Sequence, residues 1–321
     1  MASALGFLLC IYQLTRFLNT YSYSCKRKVS TGYSRYNVVM KVNYDLHTHS
    51  TASDGTLAPA ELVRQAAHSN IQVLALTDHD TTAGVAEAAS AAQYHGIGFV
   101  PGVEISATWG SKGIHIVGLG IDPDCAILRQ GLESIREYRL WRAREIGRKL
   151  DEKGISEAFE GARLLARGGL IARPHFARYL IAQGVASDMR TVFKRYLVRG
   201  KPGFVPSRWV TLNEAVTWIK AAGGQAVIAH PARYSLTRTK LRKLLGEFVG
   251  AGGEGLEVVS GAHSREETRT MAFHALDFGL SASMGSDYHG PECSWIELGR
   301  LPELPAEAVP IWRDWADSSP L

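Results

Sequence analysis

Thiols are scarce in this chain. Its four cysteines, Cys10, Cys25, Cys125 and Cys293, show neither zinc-knuckle spacing nor a disulfide framework. That pattern excludes a cystine-stapled secreted fold and predicts a reducing, cytoplasmic setting. Beyond the first few dozen residues no apolar run is long enough to cross a bilayer, so no membrane contact is expected. Internal repeats and low-complexity tracts are absent as well. Acidic residues are missing from positions 1–44, which carry Arg16, Lys26, Arg27, Lys28, Arg35 and Lys41. The formal charge of +5 and the pI near 9.0 therefore belong to this leader, and 30 basic against 31 acidic residues remain after it. Met1 to Leu14 is apolar but lacks the basic start of a secretory signal, and Arg16 interrupts it. Residues 1–39, faintly like an organelle transit peptide, are expected to be a disordered leader, or to precede a true start at Met40.

What is present is a globular composition, 321 residues with 45% hydrophobic and 21% charged, large enough for one big core or two smaller ones. Strand and helix patterns alternate from Val42 onwards. Strands are predicted over Val42–Leu46, Ile71–Thr77, Phe99–Ile105, Ile114–Ile121, Ala226–Ala229, Leu256–Val259 and Leu280–Gly285. Between them helices are predicted over Pro59–Ser69, Gly84–His95, Leu212–Ala222, Leu241–Phe248 and Glu266–Phe278. Such alternation predicts an α/β fold, a parallel β/α barrel or related closed sheet. A long helix from Leu128 to Lys153 and further helical stretches break the pattern, so the barrel is expected in two parts, 40–124 and 206–321, around a helical insertion, 125–205. Residues 129–208 hold 18 Lys or Arg against 8 Asp or Glu, leaving the rest of the body at −11. The insertion thus offers a polyanion-binding surface, or an ordinary solvated helical face.

The chemistry gathers at strand ends. His47 and His49, two apart on a strand, present their imidazoles to one face, and Asp54 returns from the turn at Gly55. Imidazole and carboxylate without thiol suit Zn, Mn or Fe. His79 in Thr77-Asp78-His79-Asp80, Glu104, His115, His175, His230, Asp287 and His289 extend the pattern. Of eleven histidines only His68, His95, His263 and His274 lie outside these motifs, and they fall on predicted helices or their ends. Most candidates sit where parallel strands finish, and His115, near a strand start, fits least clearly.

Asp45-Leu-His-Thr-His-Ser, Thr77-Asp-His-Asp, Gly102-Val-Glu, His115, Ala229-His-Pro and Gly285-Ser-Asp-Tyr-His together resemble the PHP (polymerase and histidinol phosphatase) phosphoesterase family over about residues 42–300. Arg173-Pro-His175, Arg199-Gly-Lys-Pro-Gly-Phe-Val-Pro206 and Trp295-Ile-Glu-Leu-Gly-Arg300 resemble its bacterial 3′,5′-nucleotide bisphosphate phosphatase and 5′–3′ exoribonuclease subgroup. The resemblance implies a distorted (β/α)7 barrel with three divalent ions, Mn²⁺ by preference and Zn or Fe as alternatives. It assigns His47, His49 and Asp287 to one ion, and Asp54, His79 and His289 to a second. Glu104 would bridge, and His115 and His230 would hold the third. The implied substrates are a 3′,5′-bisphosphonucleotide or short 5′-phosphorylated RNA, with no obligate protein partner.

Five further residues are candidates for catalysis or phosphate binding. Asp78 either orients a ligand or caps the next turn. Arg173 suits bidentate phosphate binding, or a surface ion pair. His175 either donates to phosphate or protonates the leaving oxygen, or else packs as a helix histidine. Lys201 and Arg208 could meet a second phosphate or the RNA backbone, or be plain surface charge. Trp141, Phe176, Tyr179, Phe193 and Tyr196 could stack a base, although helix core is the commoner use of such rings. The rival readings are a histidinol-phosphatase-type monoesterase and a metal-stabilised nucleic-acid-binding module without turnover.

Overall fold

The structure, a computed structural model, describes residues 42–292 and 296–315. The leader, the candidate start at Met40, Cys10, Cys25, Cys293 and Trp295 lie outside the described residues.

One curved sheet organises the chain, with strands in the order β1-β2-β3-β4-β6-β7-β8 and β5 attached to β3. They are β1 Tyr44–Asp45, β2 Val73–Leu76, β3 Gly98–Trp109, β4 Lys112–Leu119, β5 Val210–Thr211, β6 Gln225–Ile228, β7 Gly255–Ser260 and β8 Ser281–Gly285. The first and last strands meet, since Leu46 N–H donates to Met284 O (3.0 Å) and Asp287 N–H to His47 O (2.9 Å). Gly285 allows that closure: a Cβ there would lie 2.2 Å from the Cβ of His47.

An all-parallel sheet was the expectation, and here the structure differs. β4 runs antiparallel to both β3 and β6, as the return arm of a hairpin that pairs Gly102 with Leu119 and Ser106 with His115. A strand running backwards has its beginning where its parallel neighbours have their ends. His115, early in β4, therefore reaches the same rim as the other histidines.

Helices α1 (Pro59–His68), α2 (Val85–His95), α6 (Leu212–Ala221), α7 (Arg238–Gly250) and α8 (Arg265–Asp277) accompany the sheet. Their ends follow from local chemistry. Proline opens α1 where no amide partner is needed, and Gly96 closes α2 in the left-handed conformation at φ 68°. Thr211 with Glu214 and Ser264 with Glu267 form reciprocal caps on α6 and α8. Leu46, Ala75, Val100, Val117, Leu119, Val227, Ala229 and Ile311 form a buried cluster. Strand alternation puts Val100 on the face of Glu104, and Val117 on that of His115, so this apolar plug shares the site's side of the sheet.

α3 (Ala126–Asp151), α4 (Ala158–Leu165) and α5 (Arg173–Ala182) form the helical part, followed by short turns to Leu197. At 26 residues α3 is about 39 Å long at 1.5 Å per residue. Its first half packs Leu128, Leu132 and Ile135 on the barrel core. Its second half packs Ala143, Ile146 and Leu150 into a separate cluster with Phe176, Leu180 and Leu197. Among the described residues no helix is long and apolar enough to cross a membrane.

Candidate metal centre

Loops after β1, β2, β6 and β8, together with β3 and β4 themselves, bring ligand-type side chains to one place. His47 and His49 follow β1, and their Nε2 atoms lie 3.1 Å apart. Gly55 lets the next turn fold back on them, since a Cβ there would meet His49 O at 2.5 Å. Asp54 arrives from that turn, His79 follows β2, Glu104 lies within β3 and His115 within β4. His230 follows β6, while Asp287 and His289 follow β8. His230 and Asp287 hold φ at 29° and 56°, strained values that cost of order 1–3 kcal/mol each and mark sites where geometry outranks comfort.

Glu104, with no exposure, is the hub. Its Oε2 stands 3.3 Å from Nε2 of both His47 and His49 and 2.8 Å from His79 Nδ1. Its Oε1 meets His115 Nδ1 at 2.8 Å and His230 Nε2 at 3.0 Å. Asp287 Oδ1 lies 3.3 Å from His49, and Asp54 Oδ1 lies 3.3 Å from His289. Three sets of atoms each fall within 4.8 Å of one another: His47, His49, Glu104 and Asp287; His49, Asp54, His79 and His289; and His79, Glu104 and His115.

This donor set fits divalent cations. Glu104 Oε2, Asp54 Oδ1 and His79 Nδ1 are buried and have no hydrogen-bond partner. Glu104 Oε2 and His79 Nδ1 thus approach without hydrogen-bond geometry, as two ligands of one ion do. The charge balance agrees. Burial disfavours ionisation of Glu104, Asp54 and Asp287, yet the surrounding imidazoles hold all three carboxyls well below the usual range. Burial also opposes charge on His49, but Asp287 and Glu104 push it up to about 10, and Glu104 with Glu257 raises His47 well above its ordinary value. Burial dominates at His79 and His230, which fall below theirs. A site that draws protons onto its imidazoles is short of positive charge.

The groupings differ from those implied by the resemblance in two respects. His49 belongs to two sets, and His230 meets the centre through Glu104 while His79 completes the third set. Around the ligands, Asp78 is fully engaged elsewhere: Ser50 N–H, Ser50 Oγ and Ser53 Oγ donate to it at 2.8, 2.6 and 2.6 Å. It pins the turn that carries Asp54. His175 is buried at the start of α5, and its Nδ1 accepts from Ala172 N–H at 3.0 Å, which leaves the proton on Nε2. Burial lowers its pKa to about 4, and the Asp54 carboxylate, the next influence, opposes this. Arg173 stands over the Phe193 ring at 5.6 Å. Lys201 and Arg208 are exposed on the connection back to the barrel.

Several residues that shape the site were absent from the sequence expectation. Glu257 holds His47 Nδ1 at 2.9 Å and accepts from His230 N–H at 3.1 Å. Its signal was an acid in the middle of an otherwise apolar strand. Arg233 pairs with Asp287, and the Tyr234 hydroxyl donates to Ala229 O at 2.8 Å. Arg139 and Arg142 are buried on α3. Burial, reinforced by Arg173 and Arg139, lowers Arg142 to about 10, so three guanidiniums crowd one region beside the centre.

A barrel-like sheet with a cluster of imidazoles and carboxylates at its rim able to bind metal, and arginines beside it, defines an α/β-barrel protein with a candidate metal centre. The family model described as PHP domain matches residues 45–197. The chain is 50% identical to a 3′,5′-nucleoside bisphosphate phosphatase of Chromobacterium violaceum, over 85% of this chain and 96% of that one. It is 45% identical to the 5′-3′ exoribonuclease Rnm of Escherichia coli, covering 85% and 94%. A solved structure of an amidohydrolase from Chromobacterium violaceum, with bound sulfate and no metal, superposes with a TM-score of 0.81 at 50% identity, covering 85% and 95%. The chain belongs to the PHP family.

Proposed function

We propose that this protein is a divalent-metal-dependent phosphoesterase that releases phosphate from 3′,5′-bisphosphonucleotides and removes nucleotides from the 5′ end of short RNA. The observation that carries the reading is the convergence of imidazoles and carboxylates on the buried, half-unsatisfied Glu104. The relatives named for these two activities, and the sulfate in the superposed structure, support it.

In this reading His47, His49, Asp54, His79, Glu104, His115, His230, Asp287 and His289 hold three divalent ions, Mn²⁺ by preference, with Zn or Fe suited to the same donors. Ions held there neutralise the phosphate, acidify water and orient in-line attack. Glu257 fixes the tautomer and direction of His47 through its Nδ1–H. Arg173 binds phosphate, with Arg139 and Arg142 adding to the positive field. His175, neutral at pH 7, donates from Nε2–H to a phosphoryl or leaving oxygen. Asp78 acts by positioning Asp54. Lys201 and Arg208, both exposed, bind a second phosphate or the RNA backbone. The enzyme is proposed to be cytoplasmic and to need neither membrane nor obligate protein partner.

The test supplies Mn²⁺ to the purified chain with short 5′-phosphorylated RNA and, separately, adenosine 3′,5′-bisphosphate, and resolves products by chromatography. Stepwise mononucleotides from the first and orthophosphate from the second are expected. No product from either, with metal confirmed bound, overturns the proposal. Turnover of histidinol phosphate instead selects the small-monoester alternative.

A further inference from the structure

The helical part carries five aromatic rings that could meet a base, and the structure separates them. Phe176 is fully buried, and Tyr179, Phe193 and Tyr196 pack against the helical core. Trp141 is 54% exposed. Its ring stacks on Tyr138 at 5.4 Å and 29°, and Tyr138 in turn stands edge-on to Trp209 at 5.4 Å. Tyr138 is held rigidly, because its hydroxyl donates to Pro206 O at 3.0 Å and accepts from Arg208 N–H at 3.1 Å. An exposed indole on a fixed support costs little entropy to stack upon.

The platform is joined to the metal centre and is cationic. Trp209 carries the guanidiniums of Arg139 at 4.9 Å and Arg142 at 5.5 Å. Arg139 continues to Asp80, the residue after His79. The exposed Arg208 flanks the platform within a segment of net charge +10. Aromatic faces alternating with arginines are how proteins hold single-stranded nucleic acid without reading its sequence.

We propose that Trp141, on its Tyr138 support, is a stacking subsite for single-stranded RNA downstream of the cleaved bond, and so a determinant of oligonucleotide over mononucleotide substrates. The inference rests on the phosphoesterase reading for its biological meaning, but not for its test. A bisphosphonucleotide ends at the metal centre and never reaches this ring, whereas an oligonucleotide continues across it.

Two readouts are taken on the full chain. One is the Kd of a short, 3′-labelled, 5′-phosphorylated single-stranded RNA by fluorescence anisotropy in EDTA, where nothing is hydrolysed. The other is KM with Mn²⁺ for that RNA and for adenosine 3′,5′-bisphosphate. Trp141→Ala is expected to raise Kd and KM for the RNA about tenfold, as for other lost base-stacking rings. The bisphosphate KM should stay within about twofold, and Trp141→Phe should recover most of the loss. RNA affinity unchanged in Trp141→Ala overturns the proposal and leaves the ring as a surface for protein. Equal losses on both substrates overturn it too, as a structural effect. Trp141-dependent RNA binding with no turnover of either substrate keeps the subsite while sinking the phosphoesterase reading. Turnover of both with unmoved RNA affinity does the reverse.

Discussion

Arg139 reaches out of the middle of α3 and grips Asp80 in the barrel. Its Nε donates to Asp80 Oδ2 at 2.6 Å and its Nη2 to Ser106 Oγ at 2.9 Å. The other Asp80 oxygen accepts from Ser106 N–H at 2.6 Å, and Asp80 N–H donates to Glu104 O at 2.9 Å. The residues touched are neighbours of three candidate ligands: Asp80 follows His79, Ser106 is two beyond Glu104, and Ser106 faces His115 across the hairpin. One buried guanidinium therefore sets the helical part against the third candidate ligand group.

Removing that guanidinium leaves a buried carboxylate unpaired, at a cost of roughly 3–5 kcal/mol. Arg139→Met is expected to lower the melting temperature by roughly 10 °C and to reduce bound metal. Calorimetry and elemental analysis of the purified variant check both. Adding Asp80→Asn should recover a large part of the stability, because no lone charge is then buried. Recovery of metal content along with it would show that the pair supplies stability rather than ligand placement.

Glu257 tests the support of a ligand without touching the fold's seams. Glu257→Gln retains size and an accepting oxygen but removes the charge beside His47 Nδ1. Partners of metal-binding histidines are commonly worth ten- to a hundredfold in metal affinity. A fall of about that size is expected in a competition titration with a chromophoric chelator. The metal-free protein should also melt lower at pH 7, because the buried pair that holds the His47 proton is broken. An unchanged affinity would remove Glu257 from the metal site.

Much of the candidate centre was legible because its candidate ligands come as short motifs at strand ends, where the period of two and the following turn decide where a side chain goes. His47, His49, Asp54, His79, Glu104, His230, Asp287 and His289 were all readable in that way. His115 looked misplaced because a hairpin and a crossover strand share one apolar pattern, and local sequence does not state strand direction. Arg139 and Arg142 were hidden by their type. Leu128, Leu132, Ile135, Arg139, Arg142, Ile146 and Leu150 follow one helical face, all of them buried, and two arginines hold core positions on it. Arginine on a long helix is usually solvated, so the face had to be traced before the pair could stand out. Asp78 was visible as a residue that could orient a ligand, but its partners were not, since the serines it holds lie 25 and 28 residues earlier.

His175 gives a pH dependence separable from the metal ligands. Its pKa is lowered by burial to about 4, against an ordinary value of 6.5. The unfolded chain therefore takes up this proton first as pH falls. The stability contributed is complete above pH 6.5 and is lost as pH falls through about 4, with a magnitude of order 3 kcal/mol. His175→Asn keeps an acceptor for Ala172 N–H and removes the titration. The gap between wild-type and variant melting temperatures should narrow between pH 7 and pH 4, and a constant gap would contradict a buried neutral imidazole. The same shift means that an acid limb of activity near pH 6–7 does not come from His175.

Protons and cations compete for the same imidazoles, and this separates the metal-free from the metal-loaded protein. In the metal-free chain His47 lies well above its ordinary value and His49 near 10. Raised values of this kind contribute stability that is present in full below pH 6.5 and is lost as pH rises through the folded values. Chelated protein should therefore melt at progressively lower temperature from pH 7 to pH 10. Metal binding has to displace those protons, so affinity should rise over the same interval and protons should be released into weakly buffered solution. At a free Mn²⁺ concentration a hundred times Kd, loading adds about 2.7 kcal/mol for a single site. Melting curves with and without EDTA should accordingly diverge as pH increases. Parallel curves, or no proton release on titration with Mn²⁺, would mean that the clustered imidazoles do not hold the ion.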